Sequence, residues 1–146
     1  MAIIKRLSAL AALMIIGCAP SELRPVDIFP EDNCSGCRMA ISEESSASEI
    51  INDRAEVFKF DDLECLEKFR KNTPALVIGA MFVKDYETKD WIPYEKSTIV
   101  RTGVRTPMGS GKAAFRNPDK AREFASQHPP DLPAGETDGC CDRGAD

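Results

Sequence analysis

Two stretches of this chain read alike, and together they restrict the fold more than any other feature. In the first, Val57 to Phe60 has the pattern of a short strand, Asp61 and Asp62 supply N-cap chemistry, and a helix follows through Asn72, with Pro74 just beyond its end. In the second, Lys112 to Phe115 is a strand, Asn117 caps, and a helix starts near Pro118 and runs to about Gln127 before Pro129-Pro130. In both, the phenylalanine that closes the strand, Phe60 or Phe115, is followed nine residues later by one on the helix, Phe69 or Phe124. Strand, cap and helix form a common unit, so the echo is either a true repeat or a coincidence. Further strands are expected at Met39–Ile41, Glu49–Asn52, Trp91–Tyr94 and Thr98–Arg101. Ala75–Val83, the longest apolar run after the N-terminus, is expected at the centre of the sheet. The fold class is therefore α+β: a small antiparallel or mixed sheet with two helices, forming two tandem ββαβ-like units if the echo is a repeat.

The N-terminus is set apart from this domain. Lys5 and Arg6 precede an apolar run from Leu7 to Ile16, far shorter than the roughly 20 residues that span a bilayer, so residues 1–17 read as an export signal. Its end, Ile15-Ile16-Gly17-Cys18, resembles a bacterial lipobox, in which Cys18 is acylated and becomes the first residue of the mature chain. A lipid there holds the domain at a membrane surface without crossing it, facing the periplasm, and Ala19 resembles the sorting pattern for the outer rather than the inner membrane. Residues 18–33, with Pro20, Pro25 and Pro30 among polar residues, read as a tether in which Val26 to Phe29 docks as an edge strand. Residues 34–127 form the domain, and 128–146 an acidic, Pro- and Gly-containing tail expected to be disordered. Losing Lys5 and Arg6 takes the formal charge from −5 to −7, which excludes a nucleic-acid binder by charge.

Six cysteines in 146 residues are many for an exported chain. In an oxidising compartment a surviving thiol pair is a disulfide, a metal site, or a pair kept reduced by a partner. Cys34 and Cys37 admit each of these, as C-x-x-C is at once half a zinc site, a redox pair and a soft-metal clamp. Zinc lacks a second ligand pair in the body of the domain, since His128 stands at the edge of the tail and Cys140-Cys141 lie within it. A thioredoxin-like pair should open a helix, whereas Arg38 onward reads as extended. On an extended strand Met39 shares a face with Cys37, a combination of thiolate and thioether that suits Cu(I). Met108, in Thr106-Pro107-Met108-Gly109-Ser110-Gly111, is presented on a glycine-rich loop, although by itself it is as easily an ordinary core or surface methionine. Cys65 reads as a small buried residue on its helix. No histidine stands in the body of the domain and no nucleophile is paired with a base, so an enzyme is not expected.

Taken in order, Cys34-x-x-Cys37-x-Met39-x-Ile41, Phe60-Asp61-Asp62-Leu63 with Cys65, Val83-x-Asp85-Tyr86 to Trp91-Ile92, and the Thr106 to Gly111 loop with Ala114-Phe115, all behind a lipobox, resemble the NosL family. Its members are membrane-tethered lipoproteins that act as Cu(I) chaperones in the assembly of nitrous oxide reductase. The resemblance implies a Cu(I) site with Cys34 or Cys37, Met39 and Met108 as ligands, and an apo-copper enzyme, nitrous oxide reductase or a similar one, as recipient. Arg38 stands where the family's usual glycine precedes the methionine. Lys112 stands where members can carry histidine, which leaves an all-sulfur ligand set. The competing expectation is an exported thiol–disulfide protein that uses Cys34 and Cys37. Cys140-Cys141 fall outside the family motif and could relay a soft metal or cross-link two chains.

Overall fold

The computed structural model describes residues 22–130. The signal segment, Cys18, and the tail from residue 131 with Cys140 and Cys141 lie outside the described residues. Both strand–cap–helix units form. Strand β2 (Val57–Phe60) leads into helix α1 (Leu63–Asn72), whose first turn is capped by the Asp62 carboxylate accepting from the Glu64 N–H at 2.8 Å. Strand β6 (Lys112–Phe115) leads into helix α2 (Pro118–Gln127), capped by Asn117, with Pro118 in its first turn.

The echo between the two units extends to their packing. The Phe60 and Phe69 rings lie 5.1 Å apart and the Phe115 and Phe124 rings 5.2 Å apart, each pair joined by a third ring, Phe58 or Tyr86. In both, a phenylalanine at the strand's end meets one on the second turn of the helix that folds back over it.

Strands β1 (Ser48–Asn52), β3 (Ile78–Lys84) and β4 (Trp91–Pro93) join β2 in an antiparallel sheet of order β2-β1-β3-β4, while β5 (Thr98–Arg101) pairs antiparallel with β6 alone. The α+β class holds, with every strand pair antiparallel. The first unit, β1-β2-α1-β3, is a complete ββαβ, whereas the second is β5-β6-α2 with no further strand among the described residues.

The Ala75–Val83 run lies at the centre of the sheet as expected, as β3 beside β1. Three local expectations are corrected. β3 begins at Ile78 rather than Ala75 because the Leu76 N–H bonds back to the Thr73 carbonyl in a turn off α1. Met39–Ile41 forms no strand: a single bridge, Asn33 to Ala40, flanks a tight turn through Ser35 to Cys37. Nor does Val26–Phe29 become an edge strand. Residues 22–33 instead lie against the sheet through particular side chains. The Val26 N–H donates to the Glu49 carboxylate at 3.3 Å, Lys59 Nζ reaches the Asp27 carbonyl and the Asp32 carboxylate at 2.6 Å each, and Ile28 packs on the core. Glu49 is fully buried on β1, and burial pushes its carboxyl up to about 7.

Candidate metal centre

The turn after Asn33 is built to bring sulfur inward. The Cys34 N–H donates to the Met39 carbonyl at 2.8 Å, and the Arg38 N–H donates to the Cys34 carbonyl at 3.0 Å. The Ser35 N–H pins the turn to β2 through the Lys59 carbonyl at 2.7 Å. Closing so short a loop forces Arg38 to φ +69°, in the left-handed region that glycine adopts freely. The turn lies on the first turn of α1: a Cβ added to Gly36 would sit 3.3 Å from the Cβ of Cys65, so only a residue without a side chain fits at that distance comfortably.

The result is a cluster of three thiols and a carboxylate. The donor atoms of Cys34, Cys37, Cys65 and Asp61 all lie within 4.8 Å of one another. Cys34, Cys65 and Asp61 are buried and Cys37 is half-buried. The Cys37 N–H points to the Cys34 sulfur at 3.5 Å, and the Cys37 thiol donates to Asp61 Oδ2 at 3.2 Å. Asp61 Oδ1 is buried with no hydrogen-bond partner. A hydrogen bond from Cys65, opposed by burial, draws the Cys34 thiol down to about 6, which makes it the most readily ionised of the three sulfurs. Cys65, as the donor and buried, is pushed far up. Burial raises Cys37 to about 11, reinforced by Asp61 and Cys34 beside it.

The two methionines stand outside this cluster. Met39 is half-exposed, and because the backbone around it is a turn and not a strand, the same-face relation with Cys37 expected from alternation does not apply. Met108 is also exposed, on the loop between β5 and β6, and that loop is fastened to α1. The Met108 N–H donates to Asp62 Oδ2 at 3.0 Å and the Ser110 hydroxyl to Asp62 Oδ1 at 2.7 Å. The two adjacent carboxylates thus divide the work: Asp61 faces the thiols while Asp62 caps the helix and holds the methionine loop. Lys112, just after the loop, pairs with Glu64 at 2.8 Å and Glu67 at 2.6 Å on α1. Gly111 is required where it stands, at φ +62°, since a Cβ there would lie 2.2 Å from the Thr102 carbonyl oxygen.

Of the residues singled out in the sequence, Cys34 and Cys37 come together, Met108 is tied to the neighbouring carboxylate, and Met39 stays on the surface. Cys65 and Asp61 are the members that sequence reasoning missed. The second pair of donors that the sequence did not offer in the body of the domain is thus supplied by Cys65 and Asp61. A trace was present in Asp61-Asp62: one helix start needs one cap, which leaves the other carboxylate free for another task.

The NosL family model matches residues 25–132. The chain belongs to the NosL family. Among solved structures it is similar to the crystal structure of the copper chaperone NosL from Shewanella denitrificans, with a TM-score of 0.66 and 18% identity over 73% of this chain and 88% of that one. At that identity the likeness establishes the fold. No curated protein matches the chain. Both departures from the NosL pattern now have a physical setting: Arg38 occupies a backbone conformation suited to the family's glycine, and Lys112 is engaged by two glutamates on α1.

Proposed function

We propose that this protein binds Cu(I) through Cys34, Cys37, Met39 and Met108 and passes it by ligand exchange to an exported copper enzyme, without catalysing a reaction itself. The observation that carries this reading is the gathering of three thiols where the Cys34–Cys37 turn meets the start of α1, with the Met108 loop hydrogen-bonded to the residue next to Asp61. Thiolates and thioethers are the ligands that favour Cu(I) over harder ions. A partly exposed set suits a carrier, because the recipient's ligands must reach the ion before the donor's let go. Family membership and the copper chaperone of the same fold support the same reading. Nitrous oxide reductase is the recipient that the family resemblance favours. Acylation of Cys18 would hold the carrier at the periplasmic face of the outer membrane, beside exported targets.

The test is a competition titration with a chromophoric Cu(I) chelator under reducing conditions. Cys37→Ser and Met108→Leu should each weaken binding by roughly twofold or more. Unchanged affinity in both variants would sink the site assignment.

A second reading, thiol–disulfide exchange, draws support from the low Cys34 thiol beside two partner thiols. Cys34 is fully buried, however, and its turn does not open a helix. Thiol trapping separates the readings: a pair that cycles at a defined potential and ignores Cu(I) would favour the second.

A further inference from the structure

We propose that the site has an inner position, in which Cu(I) rests between the sulfurs of Cys34 and Cys65, and that Cys37 passes the ion between this position and the exposed methionines. This rests on the copper reading above and adds Cys65 as a ligand.

Three observations carry it. The Cys34 and Cys65 sulfurs are both buried and lie within 4.8 Å of each other. A single soft ion can therefore be reached by both sulfurs with only a small adjustment of their side chains. Second, Cys37 is committed as a hydrogen donor to Asp61 at 3.2 Å, whereas Cys65 donates to Cys34, so the inner two sulfurs already face each other and an ion would replace the proton between them. Third, Asp61 Oδ1 is buried with no hydrogen-bond partner, a costly arrangement that a positive charge among the neighbouring donors would relieve. Two thiolates and one Cu(I) carry a net single negative charge, the smallest that this buried site can hold with two cysteine ligands beside the carboxylate.

Half-buried Cys37 stands between that interior and exposed Met39 two residues on. As the ion arrives, its bond to a methionine thioether breaks while a bond forms from copper to the Cys37 sulfur, and the Cys37 thiol proton moves to Asp61. As the ion moves on to Cys34 and Cys65, that proton returns to Cys37, and any protons on the two receiving sulfurs leave to solvent. Ligands and protons exchange and nothing is oxidised or reduced. An outer position gives speed of exchange, and an inner one gives retention.

The test uses the full chain with Cys18, Cys140 and Cys141 replaced by serine, so that only the cluster supplies thiols, loaded with one equivalent of Cu(I). With selenomethionine in place of methionine, X-ray absorption at the copper edge should show sulfur in the shell with selenium at about half occupancy, because the ion divides between the two positions. A full-occupancy copper–selenium shell in the loaded protein would overturn the inner position while leaving the copper reading intact. Cys65→Ser should weaken Cu(I) binding by roughly twofold, speed its release to a chelator, and raise selenium to full occupancy. A folded Cys65→Ser protein with unchanged affinity and an unchanged shell would equally overturn it. Should Cys65→Ser not fold, the labelled parent protein decides alone. Failure of the parent to bind Cu(I) at all would remove both readings together.

Discussion

Arg38 shows how one backbone angle shapes the site. Its φ of +69° is imposed by a turn that must return within a few residues to the Met39 carbonyl, and for a residue with a Cβ that conformation costs on the order of 1 kcal/mol. Glycine removes this strain but gives back part of the gain through the extra freedom of its unfolded chain. Arg38→Gly should therefore stabilise the protein by a net of about 0.5 kcal/mol, read as a higher urea midpoint with unchanged slope. A lower midpoint would mean that the guanidinium contributes more than the strain costs. Residue patterning could not reveal this angle. Met39-Ala40-Ile41 looks extended, and nothing in its residue types marks a tight turn before it. Cys65 was opaque for a different reason. Its partners, Cys34 and Cys37, lie about thirty residues upstream, and nothing local distinguishes a buried cysteine that packs from one that faces other sulfurs.

At the scale of elements, the start of α1 is where separate stretches of chain meet. Asp62 accepts from the Glu64 N–H as a helix cap and from Met108 and Ser110 as a loop latch, while the residue before it serves the thiols. Caps are short-range chemistry, which explains why both helices were readable to within a residue or so from Asp61-Asp62, Asn117 and Pro118. The latch joins residues 46 and 48 positions apart, and no window of sequence contains it. Removing the carboxylate should cost more than a cap alone. Asp62→Ala is expected to destabilise the protein by roughly 2–3 kcal/mol, combining about 1 kcal/mol for the cap with the loss of charge-assisted bonds to the loop. Asp62→Asn should recover most of the cap and less of the latch, since its single carbonyl oxygen cannot serve all three donors. Ser110→Ala spares the cap, so it should weaken Cu(I) binding with only a small change in urea midpoint. If Ser110→Ala and Asp62→Ala both leave Cu(I) affinity unchanged, the latch does not position Met108 for binding.

At the scale of the whole molecule, the candidate site straddles the two units. All three thiols of the cluster and Asp61 precede or belong to the first ββαβ, whereas Met108 hangs from the β5–β6 loop of the second. Their relative placement depends on what joins the units, and Asp85 is central to that. Buried at the end of β3, it accepts from the Glu87 and Thr88 N–H groups at 3.1 Å each and reaches across to the Arg116 N–H at 2.8 Å. The neighbouring Tyr86 N–H donates to the Ala114 carbonyl at 2.8 Å and its ring packs on Phe115 and Phe124. Burial alone would raise the Asp85 carboxyl, but the N–H groups of Arg116, Thr88 and Glu87 together hold it below its ordinary value of 3.8. A carboxyl depressed by folding contributes stability that is complete above its unfolded pKa and is lost as pH falls through the lower folded value. Acid should therefore release the second unit's hold on the first only below about pH 4. Asp85→Ala should mimic that release at neutral pH, costing on the order of 2–4 kcal/mol because three backbone donors lose a charged acceptor. Amide hydrogen exchange supplies the readout: protection should fall in β6 and α2 more than in β1 and β2, and Cu(I) binding should weaken as the Met108 loop loses its place. Equal loss of protection in both units would show that the domain opens as one, leaving Asp85 a stabilising residue with no special part in aligning thiols and thioether.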